Sequence, residues 1–364
     1  MTSAKQISAF LPSFFVGTLQ WLGPVFAPGR ARRFAREHGK AREVFLPFVY
    51  NWSNERMDAQ TRALARIRRR MDREQLPPPR VFHAPYLARS WAPSRFSRNL
   101  ADPRALRSNT AALQRECQFL GQLRAEFGID EPILYILHLG CHGHQSANDS
   151  VRTAAASLTP SVDIAREAGV ILALENTAER FGGLELVGGT LAEIEDAIGM
   201  LGGGEQMDAP VGWTWDFTHA LLAYRGDVAA VKRAAASLLP SLVHLHVNAP
   251  HRHDGKERWG DRHEAPTEQD EDVWHLLRLA CTSRRFRESR TMTYEVLWAN
   301  ALLRPLIGGS DIDTVTRGFD LMCRIATQAL SGLDEEKSLP YTADAPRPAP
   351  STLPPGKPEP VLET

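Results

Sequence analysis

Val211–Val247, VGWTWDFTHALLAYRGDVAAVKRAAASLLPSLVHLHV, reads as strand, helix, strand. Val211 to Phe217 and Leu242 to Val247 are apolar runs rich in β-branched and aromatic residues, and Val228 to Leu239 carries its apolar residues at helical spacing. Two strands joined by a helical crossover of this length are parallel. Each strand ends in ionisable groups: Asp216 with His219 three residues on, and His246. Alternation along the second strand predicts Leu242, His244 and His246 on one face and Val243, Leu245 and Val247 on the other. Further on, Asp261 and His263 fall two apart in a Gly-Asp-Arg-His turn. That spacing lets a carboxylate oxygen and an imidazole nitrogen close on one ion.

Working outward, the same alternation extends in both directions. Strands are predicted at Ile7–Val16, Val44–Val49, Arg80–Tyr86, Pro132–Gly140, Val170–Asn176 and Thr291–Leu297. Helices are predicted at Arg30–Arg42, Ala59–Glu74, Ala105–Phe127, Val151–Ala168, Thr190–Met200, Asp272–Cys281 and Ile312–Leu330. Eight strand-helix units with little chain left over point to an α/β fold, a closed (β/α)8 TIM barrel, with an open doubly wound sheet as the alternative. The barrel domain is expected over residues 1–331. Beyond it, eight prolines and little periodicity predict a disordered tail over 332–364.

The 364 residues are 43% hydrophobic and 24% charged, enough for one large core. Cys117, Cys141, Cys281 and Cys323 form no CxxC pair, which excludes a thiolate zinc site of that pattern and fits a reducing, cytoplasmic location. Residues 7–27 are apolar enough to resemble a signal peptide, but Pro12, Gln20 and Pro24 interrupt them. No stretch is long and uncharged enough to span a membrane, so no membrane partner is expected. Net charge is zero yet uneven: residues 1–110 hold 20 Lys and Arg against 7 Asp and Glu. Runs such as Arg30–Arg33 and Arg66–Arg70 suit a phosphate-bearing partner, or equally a solvated helix face.

A TIM barrel gathers its chemistry at the C-terminal ends of its strands. There the chain places His83, His138, Glu175, Asp216 with His219, His246, Asp261 with His263, and Glu295. Taken singly, His83 is a core histidine and Glu175 the partner of a barrel arginine. Taken together they need cations, because inward-facing carboxylates are costly to desolvate alone and no Lys or Arg stands within these strand ends. Bound metal meets that need, and neutral His with carboxylates suits zinc or manganese.

The words H-x-x-Y-L at His83–Leu87, H-x-G at His138, LENTA at Leu174–Ala178, D-x-x-H at Asp216–His219, H-x-N at His246–Asn248, DRH at Asp261–His263, and Glu295 resemble the endonuclease IV family of abasic-site DNA repair enzymes, within the xylose isomerase-like barrels. The resemblance covers roughly residues 80–297. It implies three ions, zinc or manganese: one held by His83, His138 and Glu175, a second by Glu175, Asp216, His246 and Glu295, a third by His219, Asp261 and His263. Glu175 then bridges two ions, and Glu295 orients or deprotonates the nucleophile, which makes these two the catalytic residues. Tyr86 and Leu87 fall where such enzymes wedge side chains into the base stack. The implied substrate is DNA with an abasic site, hydrolysed by a monomeric enzyme.

Two features depart from that family. Its glycine-rich turn after DRH is replaced by Glu264, Glu268, Asp270, Glu271 and Asp272, and its arginine after strand two has no clear counterpart. The rival expectations are a sugar isomerase or epimerase of the same superfamily, needing one ion at Glu175, Asp216, His246 and Glu295, and a non-catalytic scaffold.

Overall fold

The structure, a computed structural model, describes residues 8–12, 41–48, 50, 59–74, 77–86, 97–181, 183–204, 206, 208–252, 259–296 and 310–338. In chain order the strands are β1 (Ser8–Pro12), β2 (Ala41–Phe45), β3 (Val81–His83), β4 (Ile133–Leu137), β5 (Val170–Glu175), β6 (Arg180–Phe181), β7 (Leu184–Glu185), β8 (Val211–Asp216), β9 (Leu242–Val247), β10 (Ala249–Arg252), β11 (Trp259–Glu264) and β12 (Thr291–Tyr294). Eight of them form a closed barrel in the order β1-β12-β9-β8-β5-β4-β3-β2. Every neighbouring pair is parallel, and closure comes from β1, which pairs with β12 at Ser8↔Thr291 and with β2 at Phe10↔Ala41. The expected closed (β/α)8 barrel is therefore present and the open sheet is excluded. β6 with β7, and β10 with β11, are antiparallel hairpins outside it.

The helices are α1 (Ala59–Glu74), α2 (Leu106–Glu126), α3 (Ala147–Ala168), α4 (Leu191–Met200), α5 (Phe217–Ala223), α6 (Val228–Ala235), α7 (Glu271–Thr282), α8 (Arg284–Ser289) and α9 (Ile312–Ser338). α3 starts four residues earlier than its apolar pattern predicts, because Ser146 accepts a hydrogen bond from the Asp149 amide and caps it there. Its C-terminus is closed by Gly169 in the left-handed region, at φ 67°. α9 continues to Ser338, seven residues past the expected end of the barrel domain. Residues 339–364, most of the expected tail, lie outside the described residues, as does the expected helix Arg30–Arg42 up to residue 40.

β3, β4, β5, β8, β9 and β12 are buried along their whole length, as a parallel sheet under a helical ring requires. Outward residues such as Tyr135, Leu172, Trp213, Trp215, Leu245 and Met292 join the helices in one large core. Inward residues Val81, Leu134, Ile136, Ile171, Ala173 and Val243 form a second, smaller core inside the barrel. Val243 corrects the alternation expected for β9. The register between β8 and β9 shifts between Trp213 and Thr214, so a bulge brings Val243 and His244 both inward. Gly212 makes room for this, since a Cβ there would come within 2.7 Å of Val243. β2 also differs from expectation, running over Ala41–Phe45 instead of starting at Val44. Glu43 is thereby a strand residue of the barrel. Among the described residues no helix is long and apolar enough to cross a membrane.

Candidate metal centre

The barrel brings all nine predicted ligands together at one end. Glu175 stands in the middle of them, 1% exposed at the last position of β5. Its Oε2 lies 3.0 Å from His138 Nε2 and 3.3 Å from His83 Nε2, while its Oε1 lies 2.9 Å from His246 Nδ1. One carboxylate thus faces two different groups with its two oxygens. On one side are His83 and His138; on the other are Asp216, His246 and Glu295, and in each group the ligand atoms lie within 4.8 Å of one another.

A third group, equally close, is His219, Asp261 and His263. Asp216 caps α5 by accepting the His219 amide at 2.7 Å, which sets the His219 ring in the first turn facing the centre. Asp261 and His263 sit on β11 rather than in the expected turn. Between β10 and β11 the register slips, and His263 takes a left-handed backbone at φ 45°. That irregularity turns both side chains inward: Asp261 Oδ2 is 3.4 Å from His219 Nε2 and its Oδ1 3.1 Å from His263 Nε2.

The outer nitrogens of four of these rings have partners of their own. Nδ1 of His83 donates to the Ala84 carbonyl at 2.8 Å and Nδ1 of His219 to that of Asn176 at 3.0 Å, while Nδ1 of His263 lies between the Glu295 carbonyl at 3.2 Å and Asn248 Nδ2 at 2.9 Å. For His83 and His219 the carbonyl takes the Nδ1 proton, which turns Nε2 into the centre as the atom that would meet a metal, the arrangement that metal-binding histidines adopt. His246 is reversed, with Nδ1 inside and Nε2 3.1 Å from Glu43 Oε2.

The electrostatics of the metal-free centre follow from that crowding. Burial works against charge on every member, but the carboxylates outweigh it for His246, His219 and His263, the last raised to about 10 by Asp261 and then Glu295. In return Glu295, though buried, is lowered to about 2 by His246 and His263. Asp216 goes the other way, raised to about 6 chiefly by burial. Glu295 Oε2 is buried and accepts no hydrogen bond, although His246 Nδ1 is only 3.0 Å away. One imidazole proton cannot serve Glu175 and Glu295 at once. A divalent ion satisfies both oxygens together, so the donor set fits metal.

Sequence reasoning missed Glu43, Asn176 and Asn248 as parts of this centre. Asn176 ties β5 to β8, donating to the Asp216 carbonyl at 2.9 Å and accepting the Asp216 amide at 3.0 Å. Asn248 Nδ2 donates to Asp216 Oδ2 at 3.0 Å and lies 2.9 Å from His263 Nδ1, linking two groups. Both asparagines lie in the LENT and H-x-N words, which was their only signal; Glu43 had none once β2 was started at Val44. Tyr86 packs its ring on His83 and His138, with centroids 5.6 and 5.4 Å away, and its phenol is pushed up to about 12 by burial. Leu87 lies outside the described residues. The acidic run after His263 is engaged locally. Glu264 meets His251 at 2.7 Å, Asp270 accepts from Thr267, and Glu271 and Asp272 occupy the first turn of α7, where negative charge offsets the helix dipole.

Fold and site together define the class, a parallel (β/α)8 barrel with a cluster of candidate metal ligands at the C-terminal ends of its strands. More narrowly, the chain belongs to the Xylose isomerase-like TIM barrel family, which it matches over residues 33–280. Among solved structures it is similar to a Xylose isomerase-like TIM barrel protein from Mycobacterium smegmatis in complex with magnesium, at 14% identity and TM-score 0.56, covering 91% of this chain and 100% of that one. A D-tagatose 3-epimerase-like protein matches at 16% identity and TM-score 0.53, with coverage of 91% and 100%. D-psicose 3-epimerase from Clostridium cellulolyticum H10 matches at 14% identity and TM-score 0.50, with coverage of 90% and 99%. Identities this low speak to the fold. No curated protein sequence matches the chain.

Proposed function

We propose that this protein is a metal-dependent phosphoester hydrolase with a centre for three divalent ions, zinc foremost, and that its substrate is DNA carrying an abasic site. The observation that carries this reading is the placement of Glu175. Its two oxygens face separate groups, so the four residues that one ion needs are flanked by His83 with His138, and beyond Asp216 by His219, Asp261 and His263. A one-ion enzyme has no use for those five flanking ligands. When bound, the ions supply Lewis-acid polarisation and neutralise charge developing on a phosphoryl group.

The chain's own groups do the rest. Glu295, held ionised by His246 and His263, would hold the central ion and orient the nucleophile beside it. Tyr86 keeps its phenolic proton and stands beside the His83 group, placed to contact the substrate.

A second reading, a sugar isomerase or epimerase using one ion, is favoured by the completeness of the Glu175, Asp216, His246 and Glu295 group on its own and by the epimerases that share the fold. One experiment separates the two. Elemental analysis of purified protein is expected to give close to three divalent ions per chain, and an end-labelled duplex with one abasic analogue is expected to be nicked 5′ to the lesion, with loss of nicking in Glu295→Ala. One ion per chain, insensitive to His263→Ala, together with interconversion of a ketose and its epimer, would overturn the hydrolase in favour of the isomerase.

A further inference from the structure

His83 and His219 each give their outer N–H to a backbone carbonyl, whereas the outer nitrogen of His246 meets a carboxylate. That carboxylate, Glu43, is 3% exposed on β2, across the barrel from the loops that carry the third group. Its Oε2 receives two bonds, from His246 Nε2 at 3.1 Å and from the Thr293 hydroxyl at 2.7 Å. Thr293 has one proton, and it goes to Glu43. Its oxygen therefore accepts from His244 Nε2, 3.0 Å away, and the donors run in one direction from His244 through Thr293 to Glu43. A row ordered in this way leaves Glu43 as pure acceptor and His246 Nε2 as donor.

We propose that Glu43 is a positioning residue for the central ion: by holding the Nε2 proton of His246 it fixes the tautomer that turns Nδ1 toward Glu175, Asp216 and Glu295. A charged acceptor behind a ligand imidazole also raises its basicity, which the backbone carbonyls behind the other rings do less strongly. The inference rests on the metal reading of the central group and is the same for a hydrolase or an isomerase. Glu43, His244 and His246 also bring ligand atoms within 4.8 Å of one another. An ion there would take the Nε2 of His246 while its Nδ1 serves the central group, and would displace Thr293 from both partners, so these residues hold a proton instead.

The test is titration of the metal-free full-length chain with cobalt(II), read by visible absorption against a competing chelator, in wild type, Glu43→Ala and Glu43→Gln. One ion is expected to bind about 10–100-fold more weakly in Glu43→Ala, with a shifted absorption band. Glu43→Gln, which keeps an acceptor of the same length, is expected to recover most of that affinity. Independently of any variant, nitrogen NMR of histidine-labelled, zinc-loaded wild type is expected to find the His246 proton on Nε2. A proton absent from Nε2, or unchanged cobalt affinities in Glu43→Ala, would overturn the role of Glu43 and leave the metal centre standing. A wild type that binds no cobalt would overturn both, and a fourth ion lost on Glu43→Ala would replace the positioning role with a separate site.

Discussion

At the scale of residues, the centre is a set of carboxylates and imidazoles whose charges depend on one another, and this makes the metal-free protein sensitive to pH in a defined direction. His263, raised to about 10 from an unfolded value of about 6.5, contributes stability that is complete below that lower value and is lost as pH rises toward 10. Asp216, raised to about 6, acts in the same sense, since the folded state holds its proton more tightly than the unfolded chain. Glu295, lowered to about 2, contributes above about pH 4.5 and loses that contribution as pH falls toward 2. Urea unfolding of metal-free protein should therefore show its highest midpoint between about pH 4.5 and 6.5, declining through pH 8. With zinc the trend reverses, because ligand imidazoles must release protons to bind and affinity rises with pH. Metal-free protein that gained stability from pH 7 to 9 would contradict the charge states assigned to the histidines. All nine candidate ligands were legible because each lies at or just after a recognisable strand end, or in the loop that follows one. Glu43 was not, because a three-residue error in the start of one strand removed it from the barrel interior.

At the scale of elements, the outer face of β4 is joined to α2 by ions rather than by apolar packing alone. Arg98, just before α2, makes two bonds of 2.7 Å to Glu116 within it, and Tyr135 on β4 donates to the same carboxylate at 2.5 Å. All three are buried. Arg98→Met would leave Glu116 inside without a counter-charge, at an expected cost of about 3–5 kcal/mol read by chemical denaturation. A loss under about 1 kcal/mol would mean that Glu116 is neutral or hydrated in solution. Periodicity located α2 and β4 within two or three residues at each end, since each carries a plain apolar pattern. It could not show the pairing between them, which joins residues far apart in the chain, nor the bulge in β9, which obeys the fit of Gly212 to Val243 instead of alternation. The short helix α5 was also missed. It exists because Asp216 caps it while serving the site, so one side chain sets both a helix start and a ligand.

At the scale of the whole molecule, nine candidate ligands drawn from six of the eight barrel strands and their loops converge across the mouth of the barrel, where bound ions would tie it together. Chelation is therefore expected to lower the melting temperature and added zinc to restore it, a free ion at about a hundred times its dissociation constant contributing about 2.7 kcal/mol per site. Thermal unfolding with and without chelator measures this, and identical curves would remove the ions from any structural role. The barrel was legible from its eightfold alternation because closure demands little beyond parallel strands of similar length. The two hairpins were not, being built from short polar runs that carry no periodicity. The β10–β11 hairpin has a consequence of another kind. It stands outside the hydrogen bonding of the barrel and supplies two of the three ligands of the third group. That group is therefore a detachable part of the centre. Replacing that one loop would remove two of the three candidate ligands of the third group and leave the other two groups and all eight strands untouched.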